Sequence, residues 1–313
     1  MSENKKELKK SFNKFQIVGT IDEINLMYDA EIINKNNSKL KGAIVKKEFK
    51  NPSLTIESNG EIYGLEFFPT YCMKEEKGKL IENPRFKALQ TIMEYEKGKR
   101  VMAECSVSEN SYANEQGEFK AFPQLNTFQI TSSGVPEKDV ADGKLTGMVK
   151  SILPEIKNEE ETGRLIVEFC YLSGGADGGI NVIPLKIIVD KDLSDDFKDL
   201  YELGDCCQLD LEVLQVQIGG DNTVKEGHFG RRESNITMGF TITEFNVFGG
   251  DPKLDEENDK FIEMESMKEL LKERDILIAS KIQARKYKGT DKPKTGLGTK
   301  KSSVKVDEND PFA

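Results

Sequence analysis

Lysines and aromatic residues gather in the first 130 positions in a way that could do chemistry together. Lys39, Lys41, Lys46, Lys47 and Lys50 lead into a strand-like hairpin, with Phe49 among them. Phe68 and Tyr71 come next, then Lys74, Lys77 and Lys79, and Lys99 and Arg100 open a further strand. Tyr112, Phe119 and Phe122 lie in or beside a polar loop after that strand. Cations neutralise phosphates, and flat side chains stack on bases at about 1–3 kcal/mol per base, so a surface carrying both suits a single nucleic-acid strand. One lysine alone is an ordinary solvated charge; only the clustering argues for phosphate contacts. Tyr63, Leu65 and Phe67 share one face of a strand and are assigned to the core, whereas Phe68 falls on the opposite face with Gly64 and Glu66.

Other chemistry finds little support. His228 is the only histidine, and no serine or cysteine signature accompanies it. No GxxxxGK[ST] run is present. The glycine run Gly174–Gly179 sits between two strand-like segments and reads as a hairpin loop. The acidic run Asp190–Asp196 lacks the central Gly and closing Glu of a calcium loop, so it reads as the charged start of a helix. Five cysteines without a CxxC suggest neither disulfides nor a zinc site. We therefore expect no catalysis, no metal and no cofactor.

The elements that must position these residues repeat. Ile17-Val18-Gly19-Thr20-Ile21 is answered by Leu145-Thr146-Gly147-Met148-Val149, and Leu65–Phe68 by Val167–Cys170. Phe86-Lys87-Ala88-Leu89 is answered by Phe197-Lys198-Asp199-Leu200, and Val101–Val107 by Cys207–Val213. Each half ends on one more strand and a Gly-Pro region. Matches in the same order indicate a duplicated unit. Within a half, period-two alternation marks strands, Ser58-Asn59-Gly60 marks a hairpin turn, and Phe86–Tyr95 puts its apolar residues on one helical face. Three strands, a helix and two strands is the order of a five-stranded OB barrel. The fold class expected is mainly β: two tandem OB-fold barrels, then an α-helix and a disordered tail.

The domains expected are an N-terminal arm over 1–13, a first barrel over 14–136 that carries the candidate interface, and a second over 137–252. A helix follows over 253–286, amphipathic through Leu270, Leu271, Ile278 and Ile282, then a linker and acidic tip over 287–313. Net charge is -10 and mean hydropathy -0.53. The charge is unevenly spread: residues 141–250 hold 10 basic and 20 acidic residues, while residues 1–140 balance 21 against 21. The acidic second barrel thus reads as structural or as a protein-binding surface, with Arg231-Arg232 beside His228 and Phe229 as its one basic-aromatic spot. No apolar run reaches the roughly 20 residues that span a bilayer, and the basic start lacks the apolar stretch of a secretion signal, so no membrane partner and a cytoplasmic location are expected.

The last residues complete a pattern. Asp307-Glu308-Asn309-Asp310-Pro311-Phe312, behind two barrels and a Lys-rich linker, resembles the acidic tip of single-stranded DNA-binding proteins. That resemblance implies binding of single-stranded DNA without sequence preference, in replication, recombination and repair. It implies further that Asp307, Glu308, Asp310, Pro311 and Phe312 recruit other replication or recombination proteins, with Phe312 as apolar anchor. Ala313 follows Phe312, the chain has two barrels, and Trp is absent. These departures point toward a phage- or plasmid-type member. The alternative is a tandem-barrel scaffold that binds proteins rather than nucleic acid.

Overall fold

In the computed structural model, residues 8–32, 45–67, 73–76, 79–82, 89, 91–114, 116–174, 179–218, 222–226, 232–236 and 240–288 are described. The chain is mainly β. The strands are β1 (Asn13–Ile32), β2 (Val45–Ser58), β3 (Glu61–Phe67), β4 (Met73–Glu76), β5 (Lys79–Glu82), β6 (Arg100–Ala113) and β7 (Phe119–Thr131). The second half supplies β8 (Val140–Lys157), β9 (Glu160–Gly174), β10 (Ile180–Val189), β11 (Cys206–Ile218), β12 (Asn222–Glu226), β13 (Arg232–Ile236) and β14 (Phe240–Gly250). Among the described residues, α1 (Ser194–Leu200) and α2 (Met264–Lys288) are α-helices.

Ten strands form one continuous sheet in the order β11-β14-β10-β9-β8-β1-β2-β3-β7-β6, with β11–β8 and β1–β6 also paired. Those two extra pairings close each set of five into a ring. In the first, β1 pairs β2 and β6, β2 pairs β3, and β3 runs parallel to β7. In the second, β8 pairs β9 and β11, β9 pairs β10, and β10 runs parallel to β14. The rings join where Asn13–Val18 of β1 pairs with Val140–Leu145 of β8.

The duplicated glycines have a mechanical reason. A Cβ on Gly19 would stand 2.1 Å from the Glu57 carbonyl oxygen, and one on Gly147 would stand 2.4 Å from that of Cys170. Each glycine lies where the first strand of its ring passes from its closing partner to its hairpin partner. A bulge follows in both, between Ile21 and Glu23 and between Val149 and Ser151. Bulges bend a strand and increase its twist, which a closing sheet needs.

Expected strands appear with longer bounds. The Asn59-Gly60 turn takes left-handed φ values of 52° and 81°, which suits a two-residue hairpin. Strands β9 and β10 on either side of the glycine run pair antiparallel with Ile180 opposite Gly174, and 175–178 lie outside the described residues. The acidic run opens a short 3-10 turn (Lys191–Leu193) and α1, with Asp195 and Asp196 in the first turn of the helix. Of the expected segment Phe86–Tyr95, Leu89, Thr91 and Ile92 are helical and Met93-Glu94 form a turn, while 86–88 and 90 lie outside the described residues.

The C-terminal helix differs from its expectation. It starts at Met264, because Asn258 and Lys260 first engage in side-chain-to-backbone turns with Asp255 and Asn258. The residues expected on its apolar face, Leu270, Leu271, Ile278 and Ile282, are all partly buried, and Met267 on the same side is fully buried, whereas Ile276 and Leu277 are 69% and 54% exposed. One apolar core runs through both rings, with Phe15 and Phe245 edge to face at 5.7 Å. A second cluster, including Met148, Cys170, Val182 and Cys206, is covered by Ile262 and Met267. Cys105, Cys170, Cys206 and Cys207 are free and buried. Burial pushes the Cys105 and Cys170 thiols up to about 12, which keeps them protonated and inert.

Candidate nucleic-acid interface

The β6–β7 hairpin carries the described part of the aromatic set. Sequence reading places Tyr112 and Phe119 in a polar loop; both instead belong to paired strands, with Tyr112 opposite Lys120, Asn110 opposite Phe122 and Ala113 opposite Phe119. The loop shrinks to Asn114–Glu118 because Asn114 ties its ends. Its side chain accepts from the Glu118 N–H at 2.8 Å and donates to Glu118 Oε2 at 2.9 Å, while its own N–H donates to the Glu118 carbonyl at 2.9 Å. Lys120 lies 3.3 Å from the same carboxylate. The Asn114 hydrogen bond and then Lys120 hold the Glu118 carboxyl below the usual carboxylate range.

Residues directly opposite in an antiparallel pair share a face. Tyr112, Lys120, Asn110 and Phe122 therefore line one side, and Glu109, Ser111 and Phe119 the other. Tyr112 and Phe122 are each 50% exposed, with ring centroids 6.3 Å apart and planes tilted by 34°. Phe119 parts company with them: it is half-buried, with Lys281 of α2 5.9 Å from its ring. Beside Phe122 and Pro123 opens a groove of about 800 Å³ onto the outer face of the second ring, past Leu153, Ile166, Ile183 and Ile242. Lys186, Thr241 and Thr243 add polar groups to its lining. Sequence reading missed this groove, because its two walls come from different halves.

The cations distribute unevenly. Arg100 is spent on the segment joining the halves: Nη1 meets Asp139 at 2.7 Å, Nη2 donates to the Glu137 carbonyl at 2.6 Å and Nε to that of Pro136 at 2.9 Å. Asp139 also accepts from the Asn59 backbone N–H at 3.0 Å. That bond first, and Arg100 second, lower its carboxyl below the ordinary value. Lys99 beside it is exposed. In β2 the register sets Lys46 opposite Glu31, Lys47 opposite Ala30, Phe49 opposite Tyr28 and Lys50 opposite Met27. In the β4–β5 hairpin Lys74 faces Ile81 and Lys79 faces Glu76. Lys39, Lys41, Phe68, Tyr71, Lys77 and the tip residues Asp307, Glu308, Asp310, Pro311 and Phe312 lie outside the described residues.

Among the described residues, no group of three or more His, Cys, Asp or Glu could hold a metal ion. No described helix is long and apolar enough to cross a membrane. What the geometry offers is an open aromatic pair on a strand hairpin, bordered by a lysine and an apolar groove. Exposed rings of this kind are able to stack on other flat rings.

No curated protein matches this sequence. Among solved structures, a deletion mutant of the single-stranded DNA binding protein from Thermus aquaticus is similar at 11% identity and TM-score 0.43, covering 80% of this chain and 98% of that one. The wild-type Thermus aquaticus protein gives 10% identity and TM-score 0.42, with 79% and 95% covered. A mitochondrial single-stranded DNA binding protein from S. cerevisiae gives 18% identity and TM-score 0.22, with 41% and 99% covered. The family model described as YorF matches residues 11–284, and the chain belongs to the YorF family.

Proposed function

We propose that this protein binds single-stranded DNA without sequence preference and without catalysis. Each five-stranded ring is an OB-fold barrel in this reading, since strands one to three, a helical segment and strands four and five close in the order that fold requires. The observation that carries the reading is the Tyr112–Phe122 pair, half exposed on the hairpin between the fourth and fifth strands of the first ring. OB folds offer that hairpin and the neighbouring strand faces to oligonucleotides. Bases stack on the two rings, and the lysines of β2 and the β4–β5 hairpin supply the phosphate contacts. The work is that of a phage-type replication and recombination protein, in the cytoplasm of its host, and the acidic tip with Pro311 and Phe312 recruits partner proteins.

The test is fluorescence anisotropy of a labelled oligo-dT strand at two salt concentrations, with duplex as competitor. The expected outcome is tight binding that prefers the single strand, with log affinity falling by about 0.7 per phosphate contact for each unit of log salt. No binding by either the full chain or a form ending at residue 305 overturns the reading. One observation favours the scaffold alternative: the groove beside Phe122 is largely apolar and has one of its walls on the acidic half. Defined assemblies without a salt-dependent dT affinity are the outcome that alternative requires.

A further inference from the structure

A part-buried ion pair joins parts of the chain that lie 165 residues apart. Arg274 of α2 and Glu109 of β6 are in direct contact, their side chains 17% and 10% exposed. Arg274 Nη1 also donates to the Val182 carbonyl of β10 at 3.3 Å. Two turns further along α2, Lys281 donates to Ser111 Oγ at 3.2 Å. Below them the Val107 carbonyl accepts from Tyr171 Oη of β9 at 2.9 Å. Val107, Glu109 and Ser111 are alternate residues of β6, so one face of the hairpin is fastened step by step to the second half and to α2. The opposite face presents Tyr112 and Phe122.

Burying two charges costs about as much desolvation as their attraction returns, so stability alone does not account for such a pair. Fixing one geometry does. A two-stranded ribbon is marginal by itself, and α2 supplies the third contact that holds this one still. We propose that Arg274 is a positioning residue for the nucleic-acid interface: through Glu109 it holds the β6–β7 hairpin so that the Tyr112–Phe122 pair meets a single strand already ordered. The proposal rests on the single-stranded DNA reading above. Its gain is preorganisation, because binding no longer bears the cost of ordering the hairpin and its two rings.

The experiment uses the full chain, oligo-dT anisotropy and a double-mutant cycle. Arg274→Met weakens dT binding by about 5- to 20-fold. It leaves the salt slope unchanged, since no phosphate contact is lost. The exchanged pair Glu109→Arg with Arg274→Glu recovers most of the affinity. In a Tyr112→Ala/Phe122→Ala background, Arg274→Met costs less than about two-fold, because no rings remain to be positioned. A residue that only supports folding costs the same in both backgrounds, and that result overturns the proposal. Unchanged or tighter dT binding by Arg274→Met overturns it too. Should Arg274→Met fail to fold, Lys281→Ala loosens the same hairpin at an exposed position and must show the same dependence on the rings in smaller measure; its absence is equally fatal. A wild-type chain that ignores dT sinks the DNA reading itself, whereas wild-type binding with no effect of Arg274 sinks the positioning role alone.

Discussion

Tyr112 and Phe122 stand on a strand face whose neighbours, Asn110 and Lys120, give them little cover. Removing either ring therefore costs little folding free energy, within about 0.5 kcal/mol for an exposed site. The loss falls on binding: Tyr112→Ala and Phe122→Ala each weaken dT affinity by about 1–3 kcal/mol, and Tyr112→Phe leaves it nearly intact. Parallel dT titrations and thermal melts separate the two effects. Arg100 behaves in the opposite way. Type and spacing group it with the phosphate-binding lysines, but each of its three nitrogens already serves Asp139, Glu137 or Pro136. No local signal could reveal that, since its partners lie 36 to 39 residues away. Its carboxylate partner predicts a pH dependence. The folded pKa of Asp139 lies below its unfolded value of about 3.9, so this contribution is complete above that value and is lost as pH falls through the lower folded one. Acid unfolding of Asp139→Asn should accordingly show a shallower loss of stability below about pH 4 than the wild type, and an identical acid limb contradicts the assignment.

At the scale of the elements, the strand order was legible because alternation and turn chemistry are local. The Asn59-Gly60 hairpin, the helix after the third strand and the repeat of glycines all act within a few residues. Gly19 and Gly147 illustrate how repetition reports mechanics: each permits a backbone approach that no other residue tolerates. Gly147→Ala is expected to destabilise the fold by at least about 1–3 kcal/mol through overpacking against the Cys170 carbonyl, while Gly64→Ala, with open space around its Cβ position, is expected to be neutral or stabilising. Urea midpoints of the two variants check this, and equal midpoints contradict it. In helix α2 the apolar face was legible, since Leu270, Leu271, Ile278 and Ile282 are the partly buried residues beside Met267, but the polar Arg274 on that same face was not. The period of an isolated segment cannot anticipate a part-buried arginine whose partner belongs to another part of the chain.

At the scale of the whole molecule, two rings that look separable in sequence share one interior. Phe15 belongs to the first ring and packs on Phe245 of the second, and the single Tyr63 O–H proton is shared between Glu61 Oε2 at 2.6 Å and the Val213 carbonyl at 3.0 Å. Glu61 in turn accepts from the Gln215 N–H at 3.0 Å, and Tyr171 of the second ring donates to the Val107 carbonyl of the first at 2.9 Å. None of these contacts has a local signature, so the duplication was visible and the fusion was not. Fusion has a thermodynamic consequence. If each ring had its own core, heating would give two transitions, or one whose calorimetric enthalpy exceeds its van't Hoff enthalpy. A shared core demands a single transition with the two enthalpies equal, and Tyr63→Phe should lower its midpoint without splitting it, because the lost bond belongs to both halves. Differential scanning calorimetry of the wild type and Tyr63→Phe decides the matter. Two resolved peaks in the wild type would mean that the β1–β8 pairing and the Phe15–Phe245 contact join bodies that fold independently. A single peak that Tyr63→Phe moves as a whole makes the two rings one cooperative unit.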